Sequence, residues 1–219
     1  MAQSLLIVPL YAKALQALAT SIDERLESLR WTLSAADPQR RTPECPDVLE
    51  TMVMTPQGTR ETAYTALFRE GFIYLDIDRI AFRTFSADEM ATQQAALSAY
   101  ETLAVIRSRI VKLNRAKRAL TARNEEFSLA AKNASKIGMV FGFQRLMLTM
   151  VAAIASERHM KAYLASLRVA DCYAWATHLE EQDLLAFATK VQALYECYLS
   201  REVVPAARLA TEIRAGHYG

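Results

Sequence analysis

Three histidines, three cysteines and 24 carboxylates are the groups from which this chain could build a metal site or an acid–base pair. Their spacing argues against both. His159, His178 and His217 share no ligand-like interval with cysteine or with paired carboxylates. His178 and Glu181 lie three apart, but the Glu-x-x-His pairs of carboxylate-bridged di-metal bundles are absent. Cys45, Cys172 and Cys197 are odd in number and form no CxxC, so free thiols in a reducing compartment are expected. No GxGxxG, P-loop, G-x-S-x-G or HExxH pattern occurs. The expectation is a non-enzymatic protein with no catalytic, cofactor-binding or metal-ligating residues and no cofactor.

The remaining chemistry is electrostatic. Residues 1–101 hold 9 basic and 14 acidic side chains, residues 102–170 hold 13 and 3, and residues 171–219 hold 4 and 7. The basic middle concentrates in 107–123, where Arg107, Arg109, Lys112, Arg115, Lys117, Arg118 and Arg123 stand without an acid among them. Such a block can meet phosphates of anionic lipid or of nucleic acid. No aromatic is interleaved to stack bases, however, and the cations are distributed around a helix rather than along one stripe. Neutralisation by the acidic flanks, within the molecule or between subunits, is the favoured expectation.

These groups need elements to hold them. Between Phe72 and Ile137 there is neither Gly nor Pro, and an apolar seam advances by alternate steps of three and four from Ala96 to Ala134. Its central members are Leu103, Ile106, Ile110, Leu113, Lys117, Leu120, Asn124 and Phe127. A 3.5-residue period predicts a helix that buries one stripe against another helix. The two polar members, Lys117 and Asn124, fall in one heptad class and are candidates for fixing register. Ser86 and Glu89 form a capping box just before the seam.

The run 137–155 is the most apolar in the chain, and Gln144 with Arg145 near its middle disfavours a lone membrane span. Gly138 and Gly142 permit close backbone approach, with Met147 and Met150 alongside as adaptable contacts. A second heptad stripe is Leu184, Phe187, Val191, Leu194 and Tyr198, with a restart expected at Thr177–Glu180 and a stop or kink at Pro205. Tyr173, Trp175 and Tyr195 read as core or interface aromatics. The segment 72–82 is rich in Ile and Tyr, yet a lone strand would lack a partner, so helix is expected over 60–83.

The expected fold is all-α: a helical bundle around one helix of about 45–50 residues (87–136) and an antiparallel helical hairpin. Further helices are expected near 10–34, 139–176 and 178–203. Residues 1–58 would form an N-terminal helix with a Pro-rich irregular segment and 59–219 the main bundle, or the whole chain one domain. The N-terminus has no basic region ahead of its apolar run, so no cleaved signal peptide is expected. A cytoplasmic or other reducing location follows, with membrane association as an alternative. Function is expected to lie in protein–protein contact or self-association; anionic membrane and nucleic acid are the alternative partners.

Overall fold

The computed structural model describes residues 3–35, 46–77, 79–83, 85–110 and 114–218. The chain is all-α in class, with eleven α-helices among the described residues. In order they are α1 (Gln3–Ala17), α2 (Glu24–Ala35), α3 (Pro46–Glu50), α4 (Ala63–Glu70), α5 (Ala87–Arg107), α6 (Asn114–Lys132), α7 (Lys136–Ile154), α8 (Glu157–Ser166), α9 (Val169–His178), α10 (Leu184–Ser200) and α11 (Val203–Arg214). Two antiparallel hairpins precede α5: β1 (Met52–Met54) with β2 (Arg60–Thr62), and β3 (Ile73–Asp76) with β4 (Arg79–Phe82).

The apolar run becomes the axis of the bundle. From Ile137 to Val151 every residue of α7 is buried except Gly138 and Arg145. A helix apolar on all sides needs neighbours on all sides, and α7 has α1, α5, α6, α9 and α10. It is long and apolar enough to cross a membrane, and most of that length is covered by the rest of the chain. The helical hairpin is α6–α7, joined through Ala134 at φ +48° and capped by Ser135, whose Oγ accepts from the Gly138 amide at 3.2 Å. A Cβ on Gly142 would lie 3.0 Å from Phe127 Cα, so the glycine sets how closely the two helices approach.

Five expectations are corrected. The single helix over 87–136 is instead two. Ser108 is buried and its Oγ donates to the Val105 carbonyl at 2.6 Å, and a 3-10 turn (Ser108–Ile110) follows. A serine that bonds back into its own helix offers the backbone an alternative to continuation. The helix expected over 60–83 is α4 followed by a hairpin. The strand's partner lies in the same segment, with Ile73 opposite Phe82 and Asp76 opposite Arg79. α4 is held by Thr62 at its start and by Gly71, at φ +86°, at its end.

The helix near 10–34 divides where Asp23 takes the amides of Arg25 and Leu26 at 3.0 and 3.4 Å, and 139–176 divides at Ser156 and Arg168. Thr177 caps nothing: its Oγ1 donates to the Ala174 carbonyl at 2.7 Å. Pro205 sits in the first turn of α11, where its missing amide costs no helical hydrogen bond. The α10 stripe stands as read, with Phe187, Val191, Leu194 and Tyr198 buried.

Candidate functional site

Helix α5 carries two stripes on opposite sides, and the polar one faces inward. Gln94, Leu97, Ser98, Glu101, Ala104, Val105 and Ser108 are buried against α7, α8, α9 and α11. The predicted seam occupies the other side. Ala96 and Ala99 are exposed, and Leu103 and Ile106 retain 37% and 51% of their accessible surface. Past the break the seam turns inward, with Leu120 and Phe127 buried. Asn124 Nδ2 donates to Gln192 Oε1 at 3.1 Å, tying α6 to α10. Lys117 points to solvent. Leu113 and the side chain of Ile110 lie outside the described residues.

The inward stripe is tolerable because its polar groups are paired. Arg214, on α11, donates from Nε to Glu101 Oε2 at 2.8 Å and from Nη2 to Glu101 Oε1. It also reaches Gln94 Oε1 at 2.8 Å and Gln144 Oε1 at 2.6 Å. Tyr163, on α8, donates to Glu101 Oε1 at 2.8 Å. The guanidinium carbon lies 4.8 Å from the centre of the Phe143 ring. Burial alone would depress the Arg214 pKa; the Glu101 carboxylate outweighs it and the net direction is up. The Tyr163 phenol is pushed well above its ordinary value, first by burial and then by the Glu101 charge. The cluster fastens four helices with a satisfied ion pair. A second buried pair, Arg30 Nε to Glu70 Oε2 at 2.9 Å, fastens α2 to α4.

Among the described residues, the acidic flanks make no ion pair with the basic block. Arg107, Arg109, Lys117 and Arg118 are exposed, and no ion pair involves them among the described residues. Arg123 pairs with Glu126, three residues along its own helix, at 2.9 Å. Lys112 and the side chain of Arg115 lie outside the described residues. The pairing expected within the molecule is thus absent for Arg107, Arg109, Lys117 and Arg118 among the described residues. Acids that would be needed for it, such as Glu70 and Glu101, are committed to buried arginines instead.

Gly138, Gly142, Met147 and Met150 serve the interior rather than a partner surface. Met147 and Met150 are fully buried, and a Cβ on Gly138 would meet Ser135 Oγ at 2.8 Å. Among the described residues no cluster of His, Cys, Asp or Glu could hold a metal ion. Cys172 is buried and Cys197 half-buried, both free thiols.

Asp171 is a group that residue spacing did not single out. It lies in the first turn of α9, buried, with Oδ1 3.5 Å from Arg83 Nη2 and Oδ2 without a hydrogen-bond partner. Burial pushes its carboxyl from 3.8 up to about 6, against the opposing pull of Gln93 and Arg168 and with the help of Glu89. The folded state therefore holds this proton more tightly than the unfolded chain. Its contribution is greatest at low pH and declines as pH rises from about 4 through 6. Asp171→Asn is expected to raise stability at pH 7 by on the order of 2–3 kcal/mol. It should also remove part of the gain the parent shows on acidification from pH 7 to 5, read from urea unfolding at both pH values. An unaltered difference between the two pH values would refute the assignment.

The sequence matches no protein-family model and no curated protein.

Proposed function

We propose that this protein is a helical interaction subunit that self-associates through the outer face of α5. The observation that carries the reading is the inversion of that helix. An apolar stripe at heptad spacing (Ala96, Ala99, Leu103, Ile106) is left to solvent, while polar residues occupy the core side. A heptad stripe gains its stabilisation only when covered by another helix, and no other helix among the described residues covers this one.

Charge favours a second copy in antiparallel orientation. Asp88 lies on the outer face at the start of α5 and Arg107 borders it at the end. A two-fold axis near the middle of this helix, about 30 Å long, would set each Asp88 beside the partner's Arg107. Ala96 would then face Ala99 and Thr92 face Leu103, so small side chains meet at the centre and allow close approach. The contact is isologous, as a two-fold dimer requires. Exposed ion pairs contribute about 0–1 kcal/mol each; they set orientation, and the covered Leu and Ile supply most of the strength.

Light scattering over a range of concentrations tests the reading. The 24.5 kDa chain should give twice its mass, and Leu103→Asp with Ile106→Asp should return the monomer. Asp88→Arg should weaken association and Arg107→Asp added to it should restore it. A monomer at every concentration would end the proposal. A second reading, contact with an anionic membrane surface, is supported by the exposed cations Arg107, Arg109, Lys117 and Arg118 together with exposed Leu103 and Ile106. It requires salt-sensitive binding to phosphatidylserine vesicles that is lost when those four become Gln.

A further inference from the structure

A hollow of about 590 Å3 opens where α4, the β3–β4 hairpin and the α8–α9 junction meet. It lies apart from the outer face of α5, and its walls divide into two kinds. One wall is apolar and solvent-accessible: Phe68 and Tyr74 retain 46% and 47% of their surface, with Leu167 beside them. The other presents three guanidinium groups, from Arg69, Arg83 and Arg168.

The three arginines are not equally committed. Arg69 forms a two-pronged pair with Glu61. Arg83 reaches Asp171 only at 3.5 Å. Arg168 has no carboxylate within ion-pair distance among the described residues. The one acid on the rim, Glu89, is engaged by the backbone amide and hydroxyl of Ser86 at 3.1 and 3.0 Å. Arg168 is therefore the guanidinium of this wall that no carboxylate pairs among the described residues, and it faces an aromatic and aliphatic wall.

Gly71 fixes where Arg168 lies. Its φ of +86° closes α4, and a Cβ there would stand 3.2 Å from Arg168 Cδ. The arginine stem thus rests against the glycine. Arg168 is also the residue just before α9, and its side chain makes no capping hydrogen bond, so the positive end of that helix dipole adds to the same rim.

We propose that this hollow binds a small amphipathic carboxylate. Its head would be held by Arg168 with Arg83, and its short aliphatic or aromatic body would lie on Phe68, Tyr74 and Leu167. A planar guanidinium takes a carboxylate through two parallel hydrogen bonds. The volume falls in the range of roughly 300–1,000 Å3 that holds small organic ligands.

Calorimetric titration of the full chain with octanoate, 1-octanol and inorganic phosphate tests the assignment. Octanoate should bind at least tenfold more tightly than either the neutral alcohol or the head group alone. Arg168→Gln, at an exposed position, should keep the helical circular dichroism spectrum and weaken octanoate at least tenfold. Arg158→Gln, exposed on α8 away from the hollow, should leave octanoate binding unchanged. The proposal is overturned if octanoate gives no binding at millimolar concentration, if octanol binds as well, or if Arg168→Gln binds like the parent. Because the readout is a ligand titration, its failure is distinguishable from failure of the self-association reading, which is scored by mass.

Discussion

Replacing Glu101 by alanine is expected to cost about 3–5 kcal/mol of folding stability, the cost of breaking a buried ion pair from one side. The substitution leaves the Arg214 guanidinium buried with only the neutral oxygens of Gln94 and Gln144 to accept from it. Arg214→Ala should cost a similar amount, leaving Glu101 with Tyr163 alone and removing the cation from over Phe143. The double change to Leu at 101 and Met at 214 should recover much of the loss, because an apolar pair of similar volume needs no desolvated charge. Urea unfolding with an unchanged slope gives the comparison. A single-variant loss below about 1 kcal/mol would show that the interior accommodates the unpaired charge, and the account of the network would fall.

The second large effect separates the two halves of the seam. Leu120 is fully buried between α6 and the rest of the bundle, and Leu120→Asp should cost several kcal/mol because a carboxylate there has no partner. Leu103→Asp, seventeen residues earlier and in the same heptad series, should change monomer stability by no more than about 0.5 kcal/mol, the usual range for a surface change. Denaturation at concentrations low enough to hold the chain monomeric makes the contrast clean. Equal losses at the two positions would mean that α5 packs with the opposite face inward.

That contrast also marks the boundary of what residue order reveals. The period of the seam was legible, and with it the helices of its two halves; so were the capping box at Ser86 and Glu89 and the α10 stripe ending at Tyr198. The phase was not. A heptad says that one side of a helix wants covering, but it does not say whether the cover comes from the same chain. On α5 the inward side contains Gln94, Ser98, Glu101 and Ser108, which no apolar pattern selects. Gln94 and Glu101 are admissible there only because Arg214, Gln144 and Tyr163 arrive from other helices.

Those partners are distant in sequence, and Arg214 alone resembles any arginine in the last turn of a helix. The break after Arg107 was likewise hidden. Ser108 is a tolerated helix residue, and what ends the α-helix is where its hydroxyl turns. The β3–β4 hairpin was hidden for a simpler reason: the partner of the strand is local, with Ile73 opposite Phe82 nine residues on. Which cations are left uncommitted depends on where the acids sit in three dimensions. Nothing in the order of charges shows that Glu70 and Glu101 are already spent on Arg30 and Arg214.

The pairing of Glu101 with Arg214 has a consequence for the chain as it is made. The two residues stand 113 positions apart, so a ribosome synthesising about 5–20 residues each second exposes the carboxylate several seconds before its guanidinium exists. During that interval α6 and α7 can already close on each other, since only Asn133, Ala134 and Ser135 separate them. The inner side of α5 meanwhile has to stay hydrated, while its outer side is complete as soon as the helix forms. On a polysome, neighbouring nascent chains therefore carry a finished outer apolar stripe before either has a finished core.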